Sequence, residues 1–279
     1  MNLVEKTCVA IRHNPLLRNA GWLWNAARPI YDAAVNAVGR GGLERVINGT
    51  DRLLIAPRFR GLGEAYEPEV WRHVMANVRP GDAVADVGAY IGLYAIALAR
   101  RVGTAGRVTA FEPDAANHRF IQRHVELNAV AQQVAAVNAA VGATDGRIAF
   151  TGDKDIQNQI VPDGTPGSRS VPVVRLDTHF KDARLDLLKV DVEGFEEDVL
   201  RGAEQLLSDA ARAPRVIYIE VHPYNWHLCG TTSESLLARL ARHGYTVEHL
   251  DGTPVRQIEN YGEIVARRES TNAHAARQT

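Results

Sequence analysis

From about residue 80 onward, short apolar runs alternate with segments of helical periodicity. Runs rich in β-branched residues predict strands at 83–87, 107–111, 134–138, 185–190, 216–221 and 246–250. The intervening helices are predicted to begin near Ile91, Asp114, Phe195 and Ser233, with Asp114 as an N-cap. The strands are almost continuously apolar, as burial on both faces requires. This alternation is typical of an α/β fold with a doubly wound, mostly parallel sheet.

Three segments depart from this rhythm. Between residues 147 and 175, apolar positions alternate and turn residues intervene, which predicts an inserted β-hairpin. Residues 1–65 carry apolar positions at helical spacing, from Leu23 to Val38, and are predicted to form an N-terminal helical extension. The main domain then covers residues 66–267, and the polar residues 268–279 are expected to form a disordered tail.

Composition narrows the class of protein. The chain of 279 residues is 46% hydrophobic and carries a net charge of -1, which fits a globular domain and predicts no nucleic-acid partner. Residues 1–60 hold nine Lys or Arg against four Asp or Glu, which indicates a solvated face or a weak contact with a membrane surface. Cys8 and Cys229 lack metal-ligand spacing, and the start lacks a signal-peptide stretch, so we expect a cytoplasmic location. The oligomeric state is not predicted.

The loop from Asp86 to Gly92 follows the first strand of this sheet. Its position at a carboxyl edge is where open α/β sheets bind ligands. Gly88 allows a close approach of the backbone to a ligand, and the helix that starts near Gly92 offers free N–H groups to a carboxylate. The Gly-x-x-x-Gly spacing differs from the dinucleotide fingerprint, so a dinucleotide-dependent oxidoreductase is a disfavoured alternative. An ordinary strand–turn–helix also explains the loop.

Two further acids precede predicted helices. Glu112 ends the second strand, where an acid can accept both ribose hydroxyls of a nucleoside-containing cofactor. Glu67 is positioned to cover such a cofactor or to face the acceptor. In both cases the alternative is a charge that merely favours the start of a helix.

The fourth and fifth predicted strands end in more ionisable residues. Asp191 and Glu193 follow the fourth strand and His222 follows the fifth, so all three border the same crevice. A functional role is favoured for Asp191, because an unpaired buried carboxylate is costly. Glu196 is expected only to open the next helix. His222 is either a general base or a structural hydrogen-bonding residue.

In order along the chain, six blocks within residues 62–250 resemble the FkbM family of methyltransferases. They lie at 66–69, 86–92, 111–114, 139–142, 173–177 and 189–196. The resemblance implies a class I methyltransferase fold with a seven-stranded sheet and S-adenosylmethionine as the methyl donor. It also implies O-methylation of a small-molecule, saccharide or lipid-linked acceptor. By this resemblance Glu67, Asp86, Gly88, Tyr90, Gly92, Glu112 and Asp191 contact the donor.

One position departs from the family pattern. The family loop commonly has Asn where this chain has Tyr90, whose side chain cannot reproduce the geometry of an amide. A non-catalytic relative that binds a glycan or a lipid-linked partner is therefore an alternative to an enzyme.

The predicted chemistry has two open points. Asp191, Glu193 and His222 are all able to take the proton of an acceptor hydroxyl. A divalent metal held by these carboxylates is an alternative, although the sequence shows no dedicated ligand array.

Overall fold

The computed structural model describes residue 29 and residues 39–151, 160–161 and 164–268. The strands within these residues are β1 (Leu43–Ile47), β2 (Asp51–Ile55), β3 (Ala83–Val87), β4 (Arg107–Phe111), β5 (Val134–Val137), β6 (Ala140–Val141), β7 (Gly146–Phe150), β8 (Arg169–Val174), β9 (Leu187–Val190), β10 (Val216–Val221), β11 (Tyr245–Glu248) and β12 (Gly262–Arg268). The α-helices are α1 (Pro68–Asn77), α2 (Leu93–Val102), α3 (Ala115–Leu127), α4 (Leu176–His179), α5 (Glu196–Arg201), α6 (Glu204–Ser208) and α7 (Ser233–Arg242). Short 3₁₀ helices lie at Gly39–Gly41, Pro57–Phe59 and Pro223–Leu228.

The main sheet has seven strands in the order β11-β12-β10-β9-β3-β4-β5. The strands from β10 to β5 are parallel, whereas β12 runs antiparallel to both β10 and β11. One face packs against α1 and α2 around Trp71 and Leu98, and the other packs against α5 and α7 around Leu200 and Leu236. The predicted doubly wound, mostly parallel seven-stranded sheet is confirmed. Among the described residues, no helix is both long and apolar enough to cross a bilayer.

The six strands predicted from apolar runs match β3, β4, β5, β9, β10 and β11 to within two residues at each end. Asp114 is confirmed as the N-cap of α3, because its Oδ1 accepts hydrogen bonds from the backbone N–H groups of Ala116 and Asn117. β12 was not predicted. Its apolar run is only three residues long, since Gly262, Glu263 and two arginines occupy the other positions.

The part of the predicted N-terminal helical extension that the structure describes contains a β-hairpin, so the helical prediction is wrong for these residues. β1 and β2 pair antiparallel, and their burial alternates as in a strand with one face on the core. The turn between them contains Asn48 and Gly49, both at positive φ, which these residue types tolerate. The apolar positions from Leu23 to Val38, on which the prediction rested, lie outside the described residues.

The two ends of the segment 147–175, which was predicted to form an inserted hairpin, contribute β7 and β8 to a second sheet with the order β6-β8-β7. β7 and β8 pair antiparallel, and β6 adds a parallel neighbour. The predicted tail needs a correction at its start, because Arg268 belongs to β12 and its backbone N–H bonds to the carbonyl of Arg215. Residues 269–279 lie outside the described residues.

Candidate active site

A cavity of about 520 Å³ opens at the carboxyl ends of β3, β4, β9 and β10. This volume lies in the range of small-molecule sites. The cavity brings together seven of the nine predicted site residues: Glu67, Gly88, Tyr90, Glu112, Asp191, Glu193 and His222. Asp86 and Gly92 lie outside its lining.

Gly88 is required by the packing of the sheet itself. Its φ is 84°, and a Cβ built at this position would lie 1.7 Å from the carbonyl oxygen of Asp191. The close approach is supported by the hydrogen bond from the Asp191 N–H to the Val87 carbonyl, at 2.9 Å. Gly88 therefore lets the ends of β3 and β9 come together, which draws Asp191 to the cavity wall.

Asp86 and Gly92 lie at the two ends of the loop, in β3 and directly before α2. Asp86 is 1% exposed, and both carboxylate oxygens are buried without a hydrogen-bond partner among the described residues. Burial raises the pKa of Asp86 to about 6. Gly92 has a φ of 83° and precedes α2, where a Cβ would press on Ile121 at 3.1 Å.

Glu112 is held in one orientation by two backbone donors. Its Oε2 accepts from the N–H of Tyr90 at 2.9 Å, and its Oε1 accepts from the N–H of Asp114 at 2.8 Å. Glu112 is 6% exposed, and burial raises its pKa to about 8. A carboxylate has about four lone-pair sites. In the ionised form, which the two backbone donors favour, both oxygens therefore keep acceptor capacity for ligand hydroxyls.

Tyr90 contacts Glu112 through its backbone N–H, whereas its ring packs against Phe59. The residue adopts a left-handed conformation with a φ of 50°, in which Asn is more frequent than Tyr. Its ring meets Phe59 edge-on, with the ring centroids 6.4 Å apart. Tyr90 thus occupies a left-handed position of the loop and joins the loop to the 3₁₀ turn that follows β2.

A buried lysine that was not predicted links two of the predicted acids. Lys189 is 2% exposed; its Nζ lies 3.4 Å from Oδ2 of Asp191 and 4.7 Å from the ring centroid of Tyr94. The hydroxyl of Tyr94 donates to Glu67 at 2.9 Å. Burial alone would lower the pKa of Lys189, but Asp191 and Asp86 outweigh it and raise that pKa well above its usual value. The sequence feature that could have indicated Lys189 as a site residue is its charge inside the apolar run of β9.

Glu196 is a buried hub, and the prediction that it only opens a helix is wrong. It is 0% exposed and accepts three hydrogen bonds, each of 2.8 Å, from the Gly194 N–H, the His222 Nδ1–H and the Trp226 Nε1–H. Burial lowers the pKa of His222, but the hydrogen bond and charge of Glu196 outweigh it and raise the pKa to about 9. The Nε2 atom of His222 then faces Glu193 at 3.7 Å.

Two exposed tyrosines and a further acid complete this wall. Tyr224 donates its hydroxyl to Glu193 at 3.1 Å, and Tyr261 donates to Glu220, which lies 4.0 Å from Nε2 of His222. Burial raises the pKa of Glu220 to about 7. Sequence reasoning missed Glu220 and Tyr261 because they are brought together by the pairing of β10 with β12, a strand that was not predicted.

The sheet order and the cavity at the strand ends define a class I methyltransferase fold. The sequence profile of the methyltransferase FkbM domain matches residues 86–247, more than half of the chain. The chain therefore belongs to the FkbM family of methyltransferases.

Three relatives show how far the similarity extends. AMB antimetabolite synthetase AmbE from Pseudomonas aeruginosa is 28% identical over 227 residues, which cover 66% of this chain and 10% of that protein. Methyltransferase sdnD from Sordaria araneosa is 25% identical over 166 residues, which cover 47% of this chain and 64% of the relative. Methyltransferase 1 from Beauveria bassiana is 31% identical over 151 residues, which cover 45% and 60% respectively. The chain thus spans less than two thirds of the length of these curated relatives.

Proposed function

We propose that this chain is an S-adenosylmethionine-dependent methyltransferase that methylates a hydroxyl group of a saccharide, a glycolipid or a secondary metabolite. Membership of the FkbM family supports the reaction class. The observation that carries the proposal is the set of carboxylates around one cavity at the strand ends, among them Glu67, Glu112 and Asp191.

The chemistry of these acids suits the donor. S-adenosylmethionine has a ribose diol, a positively charged sulfonium and an ammonium group, and carboxylates bind all three. Glu112, which is pinned by two backbone donors, is oriented to accept the ribose hydroxyls. The buried carboxylate of Asp86 adds negative charge next to the loop. When bound, the donor supplies an electrophilic methyl group.

We assign proton removal from the acceptor to Glu193. Burial raises the pKa of Glu193, which makes it a stronger base, and its carboxylate lines the cavity. The other two predicted bases are less suited. Asp191 lies against the charged Lys189, and His222 is bound to Glu196, with a pKa raised to about 9 that leaves the imidazole protonated at neutral pH. Glu193 also has partners, the Tyr224 hydroxyl and His222, but burial outweighs them and its pKa stays raised. The remaining task of the protein is to orient the reactants and exclude water.

Calorimetric titration with S-adenosylmethionine tests the donor assignment. We expect one site per chain and at least about tenfold weaker binding in Glu112→Gln, because one acceptor oxygen becomes a donor. Glu234→Gln, the same change at an exposed position of α7, should bind as the parent does. Absence of heat with millimolar donor would show that the chain is a non-catalytic relative.

A second variant tests the base. With a panel of methyl glycosides as acceptor probes, Glu193→Gln should release S-adenosylhomocysteine about 10²-fold to 10⁴-fold more slowly. Its donor affinity should stay that of the parent. Parent-like turnover in Glu193→Gln would remove Glu193 from the mechanism.

A further inference from the structure

Three side chains at one wall of the cavity present their ligand atoms to a common point. Oxygen atoms of Asp191 and Glu220 and a ring nitrogen of His222 all lie within 4.8 Å of one another. The parallel pairing of β9 with β10 ends at Val190 and Ile219, so Asp191 and Glu220 are the next residues along two neighbouring strands. Their proximity is therefore built into the register of the sheet.

The imidazole of His222 is oriented in the manner of a metal ligand. Its Nδ1–H donates to Glu196 at 2.8 Å, which leaves Nε2 directed toward Glu193 and Glu220. Histidines that bind metals almost always donate their second ring N–H to a carboxylate or a carbonyl, which fixes the tautomer and the ring plane. Glu196 is itself fixed by Trp226 and a backbone N–H.

The charges at this wall are not balanced by the side chains that contact it. Asp191, Glu193 and Glu220 line the cavity, and the register partner of Glu220 in β12 is Glu263. The Oε1 atom of Glu263 is buried and has no hydrogen-bond partner in the part of the chain that the structure describes. Among the described residues, the positive charges at this wall come from Lys189 and from protonated His222, and they are already held by Asp191 and Glu196. Buried carboxylates in excess of cations are costly, and a divalent cation would relieve that cost.

We propose that Asp191, Glu220 and His222 bind a divalent transition-metal ion, with Glu196 orienting the histidine. Two carboxylates and one imidazole suit Mn²⁺ and its neighbours better than Ca²⁺, which takes oxygen ligands only. The ion would replace the proton on Nε2 of His222 and leave coordination positions open toward the cavity. An oxygen of the acceptor is the ligand that such positions would take.

The test uses the full-length chain after treatment with a chelator, titrated with Mn²⁺ by calorimetry and followed by electron paramagnetic resonance. We expect one ion per chain with a micromolar Kd. Glu220→Gln, which removes a ligand without changing the shape, should weaken binding at least about tenfold. Glu196→Gln should weaken it by about tenfold to 100-fold, as loss of an outer carboxylate does. Glu234→Gln on the exposed surface of α7 should leave the affinity unchanged.

Two results would overturn the proposal. One is the absence of Mn²⁺ binding at millimolar concentration in a sample with a native circular-dichroism spectrum. The other is equal affinity in Glu220→Gln and Glu234→Gln. Titration of the same sample with S-adenosylmethionine distinguishes failure of the metal site from failure of the proposed function. Donor binding without metal binding would refute the metal site alone.

Discussion

The three hydrogen bonds of Glu196 make its replacement by glutamine a sharp test of the site's architecture. Glutamine has nearly the shape of glutamate, but one carboxylate oxygen becomes an amide NH₂ group. With the amide oxygen in the place of Oε1, the bonds from Gly194 and His222 persist. The NH₂ group then faces the indole N–H of Trp226, so two donors meet where a donor and an acceptor met before.

The expected cost follows from these contacts. A buried donor without an acceptor costs about 1–3 kcal/mol, and the two surviving bonds each lose about 1 kcal/mol when their acceptor loses its charge. Because a neutral amide costs less to bury than a carboxylate, part of this loss is offset. We expect Glu196→Gln to lower the free energy of unfolding by about 2–4 kcal/mol. Glu234→Gln should change it by less than about 0.5 kcal/mol, since that side chain is exposed.

Urea denaturation followed by circular dichroism measures these differences, and a double-mutant cycle identifies their origin. Trp226→Phe removes the indole N–H that Glu196 accepts at 2.8 Å. Combined with Glu196→Gln it also removes the clash of two donors, so the two substitutions should be less than additive by about 1–2 kcal/mol. Strict additivity would refute the assignment of the lost stability to this hydrogen bond.

Three further predictions concern the loop after β3 and the hairpin of β1 and β2. Gly88→Ala should abolish the calorimetric signal of donor binding and lower the Tm, because its Cβ would lie 1.7 Å from a backbone oxygen. Gly81→Ala is the control, since Gly81 has nearly the same φ but open space around it. Its Tm should fall only by the cost of placing alanine at a positive φ, and its donor binding should be unchanged. Tyr90→Asn should bind the donor more tightly than Tyr90→Ala in the same titration, since both lose the ring but Asn adopts the left-handed conformation more readily; equal affinities would contradict this. Burial would raise the pKa of Asp51, but hydrogen bonds led by that from Arg101 outweigh it and lower the pKa. The stability that the ionised Asp51 contributes is thus present above pH 3.8 and lost as the pH falls through the pKa of the folded state. Asp51→Asn should therefore make the free energy of unfolding fall less steeply at acid pH, and an unchanged pH dependence would exclude Asp51 as the cause.

The fold was largely predictable because it is encoded locally. Each central strand is a mostly apolar run, and the glycines of the loop after β3 mark its turn independently of distant residues. The hairpin of β1 and β2 was missed although Asn48-Gly49 is a recognised turn signal, because the helical spacing before it was extended too far. β12 is a strand through its antiparallel neighbours rather than through its own sequence.

The candidate site was predictable only as a set of strand ends. Parallel strands deliver their last residues to one edge, so Asp191, Glu193 and His222 could be placed together before their contacts were known. Which carboxylate touches which donor depends on contacts between residues far apart in sequence. The bond from Trp226 to Glu196 and the bond from Tyr261 to Glu220 are of this kind. For that reason Glu196 was predicted only to open the next helix.

Backbone strain supplies a reason for placing function at this edge that owes nothing to family resemblance. Five non-glycine residues in the described part of the chain have positive φ, and three of them, Glu67, Tyr90 and Glu193, line the cavity. A left-handed conformation costs such residues about 1–2 kcal/mol each. Glycine would remove that cost at all three positions, yet two carboxylates and a phenol occupy them. Strain of this kind persists where the surrounding structure enforces it and the side chain has a task. The two strained glutamates are the residues whose carboxylates contact Tyr94 and Tyr224, so the conformational cost is concentrated on the groups that the proposed chemistry uses.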